Sequence, residues 1–485
     1  MTDKSLRAFM KTLDEHDRLV RIEDEVALEP DVGALSRASN LVEQGGGPAI
    51  LTEDLRGYPT GERRIITNVH GSWRNINLAF GLDPETSTEE LIFGPFVDRR
   101  DERVEPEYVE PSDAPAKQNV VTGDDVSLTD AIPLYRNNLE DGGPYITKGV
   151  VVSKDPIEGW ENLGIYRIQL KDDETLKVQL FPFHNSGRHF SHAMEAGEPL
   201  EVAVLMGLDP VTPIVASSPN EPGTDDYAMA GGIMQESVPV TDGETVDLPV
   251  HANAEYVIEG TIDPYHREYE GPMGEFTGTY SEIKRLPEMD VSAITYRDDP
   301  IFENLIPAKP APFGEVEYLA GINTSATLYS QIKDDFPGVK SVNATSPHGL
   351  MAVVSMRPGS EGEGKTAAMD LMSTPHGSTY TKLVIVVDED IDPFNWQEIV
   401  WSLSTRLHPG RGLTHIENAP ALALDPAALS FGRDDRYDMD KMIIDTTLPS
   451  PPADDFQGIV LDPRPEVDEY VETLREMIGG QEGEN

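Results

Sequence analysis

Two glutamates separated by a short turn are the residues of this chain best suited to move a proton. They stand in Glu270-Gly-Pro-Met-Gly-Glu275, where glycine and proline exclude a helix. Upstream, Arg167 lies in a segment with the pattern of a strand, Ile165 to Leu170. An arginine beside two glutamates keeps the nearer acid ionised, while burial raises the pKa of the other until it holds a proton at neutral pH. The alternative is a surface turn with two solvated glutamates.

Three separated motifs occur in the order and approximate spacing of a known family. They are Asn162-Leu-Gly-Ile-Tyr-Arg167, Pro249-Val-His-Ala-Asn-Ala-Glu-Tyr-Val-Ile-Glu-Gly260 and Glu270-Gly-Pro-Met-Gly-Glu-Phe-Thr-Gly278. Together they resemble the UbiD family, reversible decarboxylases that use prenylated flavin mononucleotide (FMN). The resemblance extends from Ser5-Leu-Arg-Ala-Phe-Met-Lys-Thr-Leu13 to Trp401-Ser-Leu-Ser-Thr-Arg406, so it covers nearly the whole chain.

This resemblance implies a non-oxidative decarboxylase of an aromatic or α,β-unsaturated carboxylic acid. Loss of CO₂ from an sp² carbon leaves a carbanion that no side chain of this sequence stabilises, so the cofactor serves as electron sink. Arg167 would hold the acid pair and the cofactor, Glu275 would deliver the proton that replaces CO₂, and Glu270 would set the charge of the network. Relatives act on polyprenyl-hydroxybenzoate, simple phenolic acids and anhydromevalonate phosphate, which are the candidate substrates.

A flavin phosphate in an acidic protein needs a neutralising cation, which a divalent metal provides while it binds protein oxygens. By resemblance, the metal site falls on Asn162, His184 and Asp226, although the family usually has glutamate in place of Asp226. Oxygen and imidazole ligands without sulfur favour Mn²⁺ or Mg²⁺. The family also implies K⁺ near Ala216-Ser-Ser218. The expected cofactor-binding residues are Asn162, Gly164, Ile165, Tyr166, Arg167, Phe183, His184, Ser217, Ser218 and Lys382.

Two of these assignments stay open in the sequence. His189 and His192 are close to His184, so the choice of metal-binding histidine is not fixed by spacing. Lys382 precedes an apolar strand, where a lysine that caps a helix end is as reasonable as one that contacts the phosphate.

The charge balance is strongly acidic. With 87 acidic and 38 basic residues the formal charge is −49, spread along every segment, which argues against nucleic acid as a partner. Molar salt shortens the Debye length to about 3 Å and screens such repulsion, so we interpret the composition as an adaptation to a salt-rich cytoplasm. The absence of cysteine excludes disulfides and thiolate zinc sites. No apolar run approaches the ~18 residues of a membrane span, and we predict a soluble, cytoplasmic protein.

The length of 485 residues predicts more than one domain. An acidic, proline-bearing stretch separates a helix-rich start from a series of short β-rich runs, and helical and strand patterns alternate from Glu315 onward. We predict an α/β (α+β) protein with a small N-terminal α/β domain (1–115), a central split β-barrel-like flavin- and metal-binding domain (116–310), and a C-terminal α/β oligomerisation domain (311–485) that ends in a helix from Arg464 to Ile478. The resemblance further implies a homodimer or hexamer and a flavin prenyltransferase as cofactor supplier.

Two other function classes remain. Gly359-Ser-Glu-Gly-Glu-Gly-Lys-Thr366 satisfies the P-loop pattern of a nucleoside triphosphatase, followed by the Walker-B-like Leu383-Val-Ile-Val-Val-Asp-Glu389. Two glutamates in the loop would oppose a bound phosphate, which disfavours this hypothesis. A flavin-binding protein without decarboxylase activity is the second alternative, and Asp226 at the metal position keeps it open.

Overall fold

The structure is a computed structural model that describes residues 4–43, 45–182, 184–307, 314–429 and 438–448, together with 470, 471, 473 and 474. Phe183 therefore lies outside the described residues, as do 308–313, which contain the predicted boundary at 310. Most of the predicted terminal helix also falls outside them.

The N-terminal region builds a small sheet covered by helices. Its helices and strands are α1 Leu6–Glu15, β1 Leu19–Ile22, α2 Gly33–Val42, β2 Ala49–Thr52, β3 Arg64–Thr67, α3 Trp73–Ala79 and α4 Thr88–Leu91, with π-helical turns at Leu28–Val32 and Ile92–Val97. Helix α1 forms because Leu6, Phe9 and Leu13 recur on one buried face and the Ser5 hydroxyl caps its first turn. Strands β1 and β2 run parallel, and β3 is antiparallel to β2.

The central region is rich in strands, as the β-rich runs predict. Its strands are β4 Glu107–Tyr108, β5 Asn119–Thr122, β6 Tyr145–Ile146, β7 Val150–Lys154, β8 Glu161–Ile165, β9 Ile168–Asp172, β10 Thr175–Val178, β11 Leu200–Met206, β12 Pro239–Asp242, β13 Pro249–His251, β14 Tyr256–Glu270, β15 Lys284–Tyr296 and β16 Ile301–Glu303. Its helices are α5 Leu128–Ala131, α6 Asn185–Ala196, α7 Thr212–Ala216 and α8 Asp226–Met234, with 3₁₀ turns at Pro115–Lys117 and Gly123–Asp125.

The large central sheet is antiparallel throughout and has the order β6-β9-β10-β15-β14-β11-β7-β8, with β5 beside β15. Among the described residues this path does not close into a barrel. A second small sheet has the order β13-β12-β4, and β16 crosses to pair with β3 of the N-terminal sheet.

The predicted strand from Ile165 to Leu170 is wrong in its bounds. Strand β8 ends at Ile165 and β9 begins at Ile168, so Arg167 lies in the bend between them. This bend turns the arginine side chain toward the end of β14.

The C-terminal region alternates helices and strands. Its elements are α9 Glu315–Ile332, β17 Val339–Asn343, a 3₁₀ turn Pro347–Gly349, β18 Met351–Met356, α10 Glu363–Ser373, α11 Pro375–Thr379, β19 Leu383–Asp388, α12 Trp396–Thr405, α13 Pro409–Gly412, β20 Leu413–Pro420, α14 Pro426–Leu429 and β21 Asp438–Asp445. The sheet order is β17-β18-β19-β21-β20, with β18, β19 and β21 parallel.

The P-loop-like segment follows β18 and continues into the first turn of α10, which is where a phosphate-binding loop would lie. However, the Glu363 side chain accepts hydrogen bonds from the backbone N–H groups of Gly359 and Ser360. The neighbouring lysine, Lys365, donates to the carbonyl oxygen of Arg411 at 3.2 Å. The loop amides thus face a carboxylate of the chain itself, which argues against the nucleoside triphosphatase hypothesis.

A buried ionic cluster joins the three regions. The Lys148 ammonium lies 2.6 Å from Glu303, 2.9 Å from His70 Nδ1, and also contacts Glu315. Glu315 begins α9, and its carboxylate accepts bonds from the N–H groups of Asn68 and His70. Burial opposes the charge of Glu315, yet Lys148 and His70 lower its pKa to about 2. We call these four side chains, Lys148, His70, Glu303 and Glu315, the lysine cluster.

Within the described residues, no helix combines the length and the apolar character needed to cross a membrane.

Candidate functional site

The structure brings Arg167, Glu270 and Glu275 together. The Arg167 Nη2 atom lies 2.7 Å from Glu270 Oε2, and its Nη1 atom contacts Glu275 Oε1. All three residues are buried, with 1% of Glu270 and 8% of Glu275 exposed. Glu270 is the last residue of β14 and Glu275 ends the Gly-Pro loop that follows, which we call the acid loop (270–275). The sequence predicts this constellation, and the geometry has the form of a shared ion network.

The two glutamates differ in their partners. Glu270 also accepts a hydrogen bond at 2.8 Å from the hydroxyl of Tyr145, so each of its oxygens has a donor. Burial raises the pKa of Glu275, and although Arg167 opposes this shift, the charges of Glu270 and Asp141 add to it. Burial therefore lets Glu275 hold a proton to higher pH than an ordinary glutamate does, as a proton donor near neutrality requires.

The acid loop is held by the segment that leads into β6. The Gly142 N–H donates to the Pro272 carbonyl at 2.7 Å, and the Gly274 N–H donates to Asp141 Oδ1 at 2.8 Å. A Cβ atom on Gly142 would lie 2.2 Å from the carbonyl oxygen of Gly271, so only glycine fits at this approach. These contacts fix the position of Glu275 relative to Arg167.

A cavity of about 270 Å³ lies beside the acid pair. Arg167 and Glu275 form one wall, and Phe181, Leu422 and Leu424 provide apolar surface. The cavity lining combines apolar surface with four charged side chains, Arg167, Glu275, Glu282 and Lys284, which fits an organic acid whose carboxyl group pairs with a cation.

The predicted metal ligands lie on neighbouring elements. Asp226 begins α8, and its Oδ2 atom accepts the N–H of Leu163, the residue next to Asn162, at 2.8 Å. The Asn162 amide nitrogen donates to Ser186 Oγ at 3.1 Å. His184 precedes α6 by one residue and stands two residues before Ser186. Asn162 and Asp226 also line a common cavity of about 270 Å³.

The chemistry of these donors fits a divalent cation. Burial lowers the pKa of His184 to about 4, so its imidazole is neutral near neutral pH, the form that ligates a metal; its Nε2 atom lies 3.5 Å from the Tyr380 hydroxyl. Burial raises the pKa of Asp226 to about 7, a cost that a bound cation would remove. Because the Asn162 amide nitrogen is engaged by Ser186, its oxygen is the atom left to ligate a metal.

Acceptor oxygens without donors lie near the expected K⁺ site. The Ser217 hydroxyl donates to Ile214 O at 2.8 Å and accepts from Asn323 Nδ2 at 2.7 Å. The Oδ1 atoms of Asn323 and Asn220 are buried and have no hydrogen-bond partner among the described residues. Ser218 Oγ shares the Ile214 carbonyl at 3.3 Å. Unpaired carbonyl-type oxygens suit a hard monovalent or divalent cation.

Three observations bear on the flavin residues. A Cβ on Gly164 would lie 2.5 Å from the ring of Tyr166, so the glycine allows this ring to lie against the backbone. The Nε atom of Arg167 is buried and has no hydrogen-bond partner in the described part of the chain, which leaves a donor for a cofactor acceptor. Ile165 packs against a hydrophobic core. Lys382, in contrast, pairs with Asp425 at 2.7 Å, so a phosphate would have to replace that carboxylate.

Sequence reasoning missed several residues at the site. Tyr145 contacts Glu270 and Ser186 contacts Asn162, yet neither residue stands in a motif that marks it. A ring cluster also lies beside the acid loop. In it His348 approaches Phe276 at 4.1 Å between ring centroids, and His376 stacks on Tyr380 at 4.4 Å. The proximity of these rings depends on contacts between the central and C-terminal regions, which no local pattern reveals.

Comparison with known proteins shows the family to which the chain belongs. Residues 10–93, 107–310 and 317–446 match the N-terminal, Rift-related and C-terminal domains of 3-octaprenyl-4-hydroxybenzoate carboxy-lyase, the domains of the UbiD family. A phenolic acid decarboxylase from Sedimentibacter hydroxybenzoicus is 38% identical over 488 residues, covering 99% of this chain and 98% of the relative.

Solved structures show the same fold. The vanillic acid decarboxylase of Sedimentibacter hydroxybenzoicus in closed form has a TM-score of 0.87 and 38% identity, with 99% of both chains covered. An evolved dimeric form of the UbiD-class enzyme HmfF from Pelotomaculum thermopropionicum, in complex with prFMN, has a TM-score of 0.81 and 28% identity, over 96% of this chain and 98% of that one.

The chain belongs to the UbiD family, and it is a carboxy-lyase of that family. The expected family, enzyme class and mixed α/β fold are thereby confirmed. The domain boundaries at 115 and 310 and the roles of single residues stay predictions.

Proposed function

We propose that this protein catalyses the non-oxidative decarboxylation of a phenolic acid with prenylated FMN as cofactor. The observation that carries the proposal is the buried Arg167, Glu270 and Glu275 network, in which Glu275 borders the cavity and has a raised pKa. The substrate class is supported by the phenolic acid decarboxylases that share the full length of the chain.

The residues divide the work as follows. Arg167, which donates to both glutamates, holds the acid pair and orients the carboxyl end of the substrate in the cavity. Glu275, protonated when the carboxyl group leaves, delivers its proton to the ring carbon that has lost CO₂. Leu422 and Leu424 keep water from that carbon. The chemistry that prenylated FMN would supply when bound is an electron sink for the carbanion that loss of CO₂ produces.

Asn162, His184 and Asp226 would hold Mn²⁺ or Mg²⁺, and Ser217 and Ser218 would lie near K⁺. These ions would neutralise the cofactor phosphate in a chain of charge −49. A flavin prenyltransferase would supply the cofactor, and a cytoplasmic homodimer or hexamer stays our prediction for the assembled enzyme.

The test is to produce the protein together with a flavin prenyltransferase and to measure CO₂ release at molar KCl from a set of acids. The set contains 4-hydroxybenzoate, vanillate and 3,4-dihydroxybenzoate, with benzoate and an α,β-unsaturated acid as comparisons. We expect release from the phenolic acids and a prenylated flavin in the mass spectrum of the extracted ligand. Protein that carries the prenylated flavin and releases CO₂ from none of these acids would instead be a non-catalytic flavin-binding protein.

The metal residues are tested by elemental analysis of purified variants. Changing His184 to Ala should lower bound Mn²⁺ and flavin together, and changing Asp226 to Glu should retain both. His192→Ala is the matched control, because His192 is a neighbouring histidine that pairs with Asp155 at 2.8 Å. If the His184 variant kept its full metal content and the His192 variant lost its metal, His192 would replace His184 as the assigned metal ligand.

A further inference from the structure

The hydroxyl group of Tyr145 is the nearest partner of the acid pair that the mechanism has not used. It lies 2.8 Å from Glu270 Oε1 and 3.4 Å from the carbonyl oxygen of Pro272. Tyr145 is fully buried on the short strand β6. Its backbone is fixed on both sides, because its N–H donates to Tyr135 O and its carbonyl accepts from Asn304 Nδ2 at 3.1 Å. The hydroxyl therefore approaches Glu270 from a rigid support.

The direction of this hydrogen bond follows from burial. Burial and the charge of Glu270 raise the pKa of Tyr145 far above its usual range, so the phenol keeps its proton and donates it. Glu270 then receives one donor on each oxygen, from Arg167 and from Tyr145. For Glu275, the donor that the structure gives is Arg167 alone, shared with its partner acid. Donors stabilise the charged form of a carboxyl group, so the two acids are not equivalent.

We propose that Tyr145 is a positioning residue that keeps Glu270 ionised and thereby assigns the mobile proton of the pair to Glu275. The proposal rests on the proposed function in one respect, namely that the proton of Glu275 is the one delivered to the substrate carbon. Tyr145 contacts Glu270 rather than the cavity, so it acts through the acid pair. Among the described residues, the charged groups that act on the pair include Arg167, Asp141 and Lys177, and Lys284 lies opposite Glu270 in the register of β14 and β15. Tyr280 and Glu282 line the cavity beside Glu275.

The variant Tyr145→Phe removes one oxygen atom and keeps the ring in place. Loss of a hydrogen bond to a charged group makes protonation of Glu270 easier, so we expect the acid limb of the pH profile of kcat/KM to move up by about one pH unit or more. The alkaline limb, which reports loss of the last proton of the pair, should stay in place or move up slightly, because removal of a donor disfavours the state in which both acids are ionised. A purely structural role for Tyr145 would lower the rate by the same factor at every pH.

The matched control is Tyr135→Phe. Tyr135 is also fully buried, and its backbone carbonyl accepts the N–H of Tyr145, but its hydroxyl lies near the Asn304 side chain and not near the acid pair. We expect its pH profile to coincide with that of the parent enzyme. A shift of equal size in both variants would overturn the proposal.

A second measurement uses the cofactor-free protein and does not depend on decarboxylase activity. Infrared difference spectra against pH, in the region of protonated carboxyl groups, follow the two acids, with Glu270→Gln and Glu275→Gln used for assignment. In the parent protein Glu275 should gain its proton at higher pH than Glu270. Tyr145→Phe should reduce or reverse this difference between the two protonation pH values.

The outcomes separate the two proposals. If Tyr145→Phe does not fold, the parent spectra decide, because protonation of Glu270 before Glu275 as the pH falls would overturn the inference. The inference would also be overturned if the folded Tyr145→Phe protein showed the same difference between the protonation pH values of Glu275 and Glu270 as the parent. The expected spectra combined with no CO₂ release from any acid would leave the inference standing and would count against the proposed function alone.

Discussion

The lysine cluster and the acid pair are built from similar parts and behave in opposite ways. Each places one cation between two buried glutamates. In the lysine cluster, Glu315 accepts bonds from two backbone N–H groups as well as from Lys148, and its pKa is lowered to about 2. At the acid pair, burial raises the pKa of Glu275. At Glu315 the charge of Lys148 and the contacts with His70 outweigh burial, whereas at Glu275 burial and the charges of Glu270 and Asp141 outweigh Arg167. This balance between burial and neighbouring charges decides whether a buried glutamate stabilises the fold or carries a proton.

The largest expected effect on this comparison comes from Lys148→Met. Removing the ammonium leaves Glu303 and Glu315 buried without their cation, which should cost about 3–5 kcal/mol of unfolding free energy. Arg167→Met should abolish turnover but cost less stability, because burial raises the pKa of Glu275 and this acid can take up a proton when its cation is removed. Chemical unfolding at molar KCl measures both. Equal losses of stability in the two variants would show that the clusters do not differ as described.

Glu275→Gln separates chemistry from stability. The amide keeps the shape of the side chain but cannot deliver a proton, so turnover should fall by about 10²–10⁴ while the flavin stays bound. Glu268→Gln, which lies on the same strand as Glu270 but is not in the cavity lining, is the control and should remain near the parent rate. Turnover and flavin occupancy are measured together. Near-normal turnover in flavin-loaded Glu275→Gln protein would remove this acid from the mechanism.

Glu315 of the lysine cluster and Glu275 of the acid pair should also differ in how their contribution to stability depends on pH. The folded pKa of Glu315 lies below its ordinary value of 4.5, so its stabilisation is present above that pH and is lost as the pH falls toward 2. A shift of this size corresponds to about 3 kcal/mol. Glu315→Gln should therefore destabilise most at neutral pH and least in acid.

Glu275 has the opposite sign. Because its folded pKa is raised, the folded state is penalised increasingly as the pH rises above the ordinary value. Glu275→Gln should leave the protein as stable as the parent in acid and more stable at alkaline pH. Unfolding free energies of Glu315→Gln and Glu275→Gln, measured at pH 4, 6 and 8, test both predictions. Curves of the same slope would contradict the distinction.

The smallest effect on the comparison is that of salt. Lowering KCl from 1 M to 0.1 M lengthens the Debye length from about 3 Å to about 10 Å, so repulsion among the surface carboxylates should lower the melting temperature. Both clusters are buried and screened little. The parent protein and Glu275→Gln should thus lose the same number of degrees. A melting temperature independent of KCl would contradict the interpretation of the charge of −49 as a salt adaptation.

The sequence predicts the acid pair because its residues lie in motifs and because turn chemistry restricts the acid loop. It also predicts the class of fold, since apolar periodicity shows where helices and strands alternate. The strand through Arg167 is misplaced because a two-residue bend between β8 and β9 leaves the apolar pattern unbroken. The sequence does not identify Tyr145 and Ser186 as site residues, because their hydrogen-bond partners are distant in sequence and buried polar pairs leave no periodic pattern.

The loop before α10 has a consequence for how sequence patterns of this kind are used. Glu363 reaches the loop amides from only four residues away, so its carboxylate is an intramolecular ligand with an effective concentration far above that of any free nucleotide. Dissolved ATP would have to displace the covalently attached Glu363 carboxylate from the loop amides. A single tethered anion thus cancels the binding capacity of a loop whose glycines, lysine and threonine all match the pattern.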